Sequence, residues 1–255
     1  MPRLTGGAIA WNTVIFDQAE YALRCEWGAY GVAQLAHISD VLIVVDVLSF
    51  STAVDIAVSN GAIVFPYGNH RVEDYARARS AHIAEKVRTQ SGFSLSPASL
   101  VQVPPGYRLV LPSPNGAALS LAAGAHGAAT FTACLRNAGA VARAARQFGD
   151  TFAVIPAGER WPDGSLRPSI EDWIGAGAVL AALPGRPSPE ARMAIAAFES
   201  LGRVCGPTLE GSSSGKELIG RGFGEDVALA AELDASTTAP RLQDGGFVAQ
   251  SCLPS

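Results

Sequence analysis

Three short stretches of this 255-residue chain gather side chains that can carry out acid, base or anion chemistry. In DVLSFST, Asp46 to Thr52, a carboxylate follows the apolar run VLIVV, and three hydroxyls come next: Ser49, Ser51 and Thr52. If a helix starts here, its free backbone N–H groups and its dipole favour an anion. The hydroxyls add donors for phosphate oxygens, and the carboxylate can hold a divalent cation that bridges to them. The same residues have plainer uses: Ser49 or Ser51 as a helix cap, Asp46 as an acceptor within a turn.

The second stretch is LPSPNGAAL. Its Pro-Asn-Gly reads, taken alone, as a turn. Functionally, Ser113, Asn115 and the Gly116 N–H would surround an anion. The third is AGERWPDGSLRPSIEDW, with Glu159 and Arg160 leaving a strand, Asp163 and Arg167 in a loop, and Glu171 and Asp172 opening a helix. Ser169 to Asp172 has the S-x-x-D form of a capping box, which alone would account for Asp172. One cap does not account for so many carboxylates and arginines at one strand end. A pocket for a metal and an anion is the simplest purpose common to all three stretches.

Other motifs fail on inspection. GSSSG, Gly211 to Gly215, has the form of a serine-hydrolase elbow, but the last histidine is His126 and that order needs one after the serine. GSSSGK is one residue short of a phosphate loop, with Glu217 where Ser or Thr belongs. Lys216 remains a candidate partner for a substrate anion. Leu48 excludes the D-x-D of aspartate-nucleophile phosphatases. His37, His70, His82 and His126 show no metal-ligand spacing.

The elements that must position these stretches alternate. Apolar runs predict buried strands in VLIVVDV, AIVFPY, RLVLPS, ATFTAC and TFAVIPA. Between them, helices are predicted in STAVDIAVSNG, RVEDYARARSAHIAEKVR, GAALSLAAGA and NAGAVARAARQFG, and later in SIEDWIGAGAVLAAL and ARMAIAAFESLG. Such alternation predicts an α/β sheet covered on both faces, with ligands at the carboxyl ends of the strands. Gly175 and Gly177 would each weaken their helix by roughly 1 kcal/mol relative to Ala, which suggests a close approach of another backbone. LPGRPSPEAR reads as a loop, and a sub-domain boundary would fall near residues 184–189 of an otherwise single domain, 1–255. LDASTTAPRLQDGGFVAQ reads as a loop with a short edge strand.

Composition bounds the class. The chain is 48% hydrophobic and 16% charged, which supports a sizeable core. A net charge of −4 provides no basic field for nucleic acid. Four widely spaced cysteines, without C-x-x-C, read as reduced and buried. No apolar run approaches the roughly 20 residues of a membrane helix, so a soluble cytoplasmic protein is expected.

VVDVLSFSTAVDIAVSNGA, LPSPNGAAL, LRNAGAVA, IPAGERW, SIEDWIGAGAVL and SSSGKEL…GFGEDVALAAELD occur in an order that resembles the 2-phosphosulfolactate phosphatases, the ComB-like family, over roughly Val41 to Phe247. The resemblance implies an α/β fold of its own kind, here a three-layer α/β/α arrangement with a mostly parallel or mixed sheet. It implies Mg²⁺-dependent hydrolysis of 2-phosphosulfolactate to sulfolactate and phosphate, a step toward coenzyme M. It also implies metal or phosphate roles for Asp46, Asn115, Glu159, Glu171 and Asp172. The chain departs from the family pattern at Ser49, where the family has arginine, and at Ala117, where it has threonine. AEKVR and SLSP stand where the family has G-E-R and G-N-S-P.

The expected mechanism has Asp46, Glu159 and Asp172 as catalytic carboxylates, with Glu171 joining them around Mg²⁺. Phosphate oxygens would meet Ser49, Ser51, Thr52, Ser113, Asn115 and Gly116. Arg160, Arg167 and Lys216 would grip the substrate's other anionic groups. A non-catalytic binder of a phosphorylated or sulfonated metabolite, or another metal-dependent enzyme on a small anion, remains open at this point. A homodimer is expected on general grounds.

Overall fold

The computed structural model describes residues 16–68, 71–88, 92–201 and 204–250. The apolar runs all form strands: β2 (Val41–Val45), β3 (Ile63–Tyr67), β5 (Arg108–Pro112), β6 (Ala129–Ala133) and β7 (Phe152–Pro156). Four short ones join them: β1 (Leu23–Cys25), β4 (His82–Ile83) and, apart from the main sheet, the pair β8 (Glu159–Arg160) with β9 (Leu166–Arg167). A hairpin, β10 (Pro240–Gln243) with β11 (Gly246–Ala249), completes the nine-stranded sheet in the order β1-β7-β2-β6-β10-β11-β3-β5-β4.

Every residue of β2 and β7 is buried, as the unbroken apolar runs require of strands covered on both faces. Alternate residues serve alternate layers. Val41, Ile43 and Val45 pack with Val141 of α5 (Ala138–Ala145), Ile174 and Val179 of α6 (Ile170–Ala182) and Ala194 of α7 (Pro189–Leu201). Leu42 and Val44 face Val32 and Leu35 of α1 (Gly28–Leu35) and Leu119 of α4 (Gly116–Gly124). On the other half of the sheet, Val64, Leu109 and Phe247 pack with Phe50 and Val54 of α2 (Phe50–Ser59), while Phe65 and Val110 pack with Ala76 of α3 (Val72–Ala78). The architecture is three-layer α/β/α, with further helices α8 (Cys205–Gly211), α9 (Ser213–Gly220) and α10 (Gly224–Ala230). Among the described residues no helix is long and apolar enough to cross a membrane.

The sheet is mixed. β1, β7, β2 and β6 run parallel, as do β3, β5 and β4, but β10 is antiparallel to β6 and β11 to β3, so the two blocks run in opposite directions. In a flat sheet their carboxyl ends would lie at opposite edges. One residue pair joins the hairpin to each block, Arg241 with Phe131 and Phe247 with Val64. α2 touches β3, β6, β10 and β11, and α4 touches β2, β3 and β6. The turns after β2 and β5 nonetheless meet, the Gly116 N–H donating to Asp46.

Two expectations are corrected. Residues 71–88 do not form one helix: α3 stops at Ala78, the Ala81 N–H turns back to the Ala76 carbonyl, Ser80 takes φ +49°, and the chain enters β4 beside β5. The tail is not an edge strand. It supplies the two central strands of the sheet, joined by Asp244 (φ +49°) and Gly245 (φ +77°), and Asp-Gly with both φ positive is the hairpin turn that suits strand twist. Cys25, Cys134 and Cys205 are buried, as expected; Cys252 and His70 lie outside the described residues.

Candidate active site

Asp46 leaves β2 and is 5% exposed. Its Oδ2 accepts the Gly116 N–H at 2.8 Å, and its Oδ1 accepts the Phe50 N–H at 3.3 Å. Thus the β5–α4 turn donates to a carboxylate on the β2–α2 turn. A Cβ on Gly116 would sit 2.5 Å from the Phe50 ring and 2.7 Å from Asp46 Oδ2, so only glycine allows this approach. Asn115 Nδ2 donates to Glu159 Oε2 at 3.0 Å. Ser-Pro-Asn-Gly therefore does more than turn the chain: it ties Asp46 and Glu159 together.

Asp172 does not complete a capping box. Its Oδ1 takes the Val47 N–H at 2.7 Å and its Oδ2 takes the Gly158 N–H at 2.8 Å, and the buried Ser169 hydroxyl has no partner among the described residues. α6 thereby clasps the loops that follow β2 and β7, which are adjacent parallel strands. Glu171, one residue earlier, is 2% exposed. The four carboxylates feel one another. Burial, opposed by the Gly116 and Phe50 N–H groups, raises Asp46 to about 6, with Glu171 adding to the rise and Arg88 resisting it. Burial and the charge of Asp46 raise Glu159 to about 7, against Asn115 and Arg167. Burial raises Asp172 well above the ordinary carboxylate value, and Asp46 and Glu171 add to the rise.

Asp46 and Glu159 open into a cavity of about 390 Å³. Ser49, Ser113 and Asn115 share its lining, as do Lys86, Arg88, Ser214, Glu217 and Arg221. Arg88 lies between β4 and the 3₁₀ turn Pro97–Leu100. It donates from Nη2 to Ser49 Oγ at 2.8 Å and from Nη1 to Asp226 Oδ2 at 2.7 Å. Ser49 precedes α2 but makes no cap bond. Ser49 Oγ therefore accepts from a guanidinium that arrives from another segment of the chain.

Several expected contacts lie elsewhere. Ser51 faces inward: its Oγ accepts the Asp46 N–H at 2.9 Å and pairs with Thr132 Oγ1 at 2.6 Å. Thr52 donates to the Val47 carbonyl at 2.7 Å. Both brace the turn rather than line the cavity. The Gly116 N–H is already given to Asp46. Arg160 is exposed and donates to the Gly164 carbonyl within the β8–β9 hairpin. Arg167 reaches the site indirectly, donating to Ser214 Oγ at 3.0 Å. Lys216 is exposed and outside the lining. Within GSSSG, Ser212 caps α9 by accepting the Gly215 N–H. Lys86, Arg88, Arg221 and Asp226 were not among the expected site residues. The one signal for the first two was that AEKVR departs from its family counterpart.

Among the described residues no three acidic, histidine or cysteine side chains are already converged on one point for a metal. Among the described residues no cation pairs within 4.0 Å with Asp46, Glu159, Glu171 or Asp172. Buried carboxylates this close, without a paired cation, are costly unless a proton or a divalent ion offsets the charge. Hard oxygen donors suit Mg²⁺, which is commonly held by one or two carboxylates with substrate phosphate and water completing the shell. The donor set therefore fits that ion in kind.

An α/β fold whose strand ends gather buried carboxylates beside a cation-lined cavity belongs to the class of enzymes that act on small anions. The comparisons narrow the class. The family model for 2-phosphosulpholactate phosphatase matches residues 31–245. The chain is 28% identical over 209 residues to the 2-phosphosulfolactate phosphatase of Methanothermobacter thermautotrophicus, covering 81% of this chain and 88% of that protein. It is 29% identical over 224 residues to the "Probable 2-phosphosulfolactate phosphatase" of Gloeobacter violaceus, covering 83% and 92%. The chain belongs to the 2-phosphosulfolactate phosphatase family, a family of phosphoric monoester hydrolases.

Proposed function

We propose that this protein is a Mg²⁺-dependent phosphatase that hydrolyses 2-phosphosulfolactate, or a similarly small acidic phosphomonoester, to the alcohol and phosphate. The observation that carries the reading is one cavity lined both by carboxylates, Asp46 and Glu159, and by the cations Lys86, Arg88 and Arg221. A substrate with a transferable phosphate and a second acid group needs both signs in one place. On this reading the reaction is a cytoplasmic step toward coenzyme M.

Asp46 and Glu171 would hold Mg²⁺, which when bound neutralises phosphate charge and so favours displacement at phosphorus. The chain does the rest. Asp172 fixes the Val47 and Gly158 backbones and so aims the turns that carry Asp46 and Glu159. Glu159, oriented by Asn115 and raised to about 7, takes a proton from the attacking water. Ser113 meets phosphate oxygens, and the cavity cations, Arg88 seated on Ser49 among them, meet the remaining acid groups.

Phosphate release from 2-phosphosulfolactate, phospholactate, phosphoglycolate and p-nitrophenyl phosphate, with Mg²⁺ and with EDTA, tests this. The expected result is release from the short acidic esters that requires Mg²⁺ and stops with EDTA. Absence of release from every ester, while the same compounds raise the melting temperature, would replace the reading with a non-catalytic binder.

A further inference from the structure

We propose that Arg88 is the specificity-determining cation of the cavity, gripping a carboxylate or sulfonate of the substrate rather than its phosphate. The inference rests on the functional reading above for the identity of the ligand, but the placement of Arg88 stands on its own contacts. Three cations line the cavity, and they are not equivalent. Lys86 and Arg221 are exposed, and Arg221 pairs with Glu217 one helical turn away. Such side chains must be ordered whenever they bind, which costs conformational entropy.

Arg88 is already ordered. Its side chain is 11% exposed and its partner Asp226 is 1% exposed. Asp226 is itself fixed, because its Oδ1 accepts from Ser96 Oγ at 2.5 Å and from the Ala98 N–H at 3.0 Å. The second arm of the guanidinium lies on Ser49 Oγ, three residues after Asp46. Two contacts on opposite arms set the plane of the fork. Among the described residues Asp226 and Ser49 are its only hydrogen-bond partners, out of five N–H donors. A planar fork held in this way suits bidentate recognition of a carboxylate or sulfonate, which a lysine cannot reproduce. On the functional reading Asp46 and Glu159 face the phosphate, and on this inference Arg88 takes the carboxylate or sulfonate.

The probe is sulfolactate, which keeps the acid groups and lacks the phosphate, compared with inorganic phosphate. Binding of each is measured by calorimetry, with Mg²⁺ present, to the wild-type protein, Arg88→Met and Arg88→Lys. Arg88→Met is expected to weaken sulfolactate binding roughly tenfold or more, as loss of a charge-assisted hydrogen-bond pair implies, and phosphate binding by less than about threefold. Arg88→Lys should fall between, with the same selectivity, and carries the comparison alone if Arg88→Met does not fold. Equal weakening of both ligands, no weakening of either, or no sulfolactate binding by the wild type would each overturn the inference. If the wild type releases phosphate from no ester, the proposed reaction fails, while the ratio of the two binding changes still decides the role of Arg88.

Discussion

Asp46 is the side chain on which the site converges: it ends one strand, takes a backbone N–H from the turn after another, and shapes the titration of Glu159 and Asp172. Asp46→Asn keeps the size and one acceptor, so the fold should persist with a melting temperature within about 5 °C of wild type. Mg²⁺-dependent phosphate release should fall by about 100-fold or more, because the substituted side chain offers neither the charge nor the second oxygen. Steady-state kinetics beside a thermal melt checks this, and full activity would remove Asp46 from the mechanism. The residues that were legible from sequence are those that sit directly at strand ends, Asp46, Asn115 and Glu159. Arg88 and Asp226 were not, because their place is set by a loop and a helix N-terminus meeting across 138 positions of sequence, which no local pattern encodes.

At the scale of elements, the buried strands were legible because burial on both faces leaves no room for polar residues, and that excludes most other structures. The limits of α3 were not: residues 71–88 contain no glycine or proline to mark the stop, and the turn at Ser80 is imposed by the packing of β4 on β5. The hairpin was locally marked by Asp244-Gly245, but its central place depends on pairing with β6 and β3, far away in sequence. The glycines of α6 show the opposite case. A Cβ on Gly177 would lie 2.0 Å from the Ala194 carbonyl oxygen of α7, so the predicted close backbone approach is present there; at Gly175 the neighbours are instead the side chains of Val47 and Val45. Gly177→Ala should gain helix propensity of roughly 1 kcal/mol and still destabilise, since the α6–α7 contact must separate. A net loss of about 1–3 kcal/mol is expected from denaturant unfolding. A stabilised variant would show that the two helices can part without cost.

For the molecule as a whole, the acidic cluster couples stability to both pH and metal. Asp46, Glu159 and Asp172 all have folded-state values raised above those of the unfolded chain, to about 6 and about 7 for the first two. The folded state therefore binds these protons more tightly. Their contribution to stability is complete below the unfolded values near pH 4, and is lost as pH rises through 6 and 7. Above that range the fold carries several buried, mutually repelling carboxylates, and a divalent ion can then offset what protons no longer do. Without Mg²⁺, the melting temperature of the wild type relative to Glu159→Gln should fall between pH 5 and pH 8. Saturating Mg²⁺ should raise the wild-type melting temperature by several degrees at pH 8 and by about 1 °C or less at pH 5, and Glu159→Gln should shrink that difference. Thermal melts at both pH values, with Mg²⁺ or EDTA, read all of these together. Equal stabilisation by Mg²⁺ at pH 5 and pH 8 would mean that the ion binds away from the cluster, and the contact between the turns after β2 and β5 would then need a purpose other than assembling a metal site.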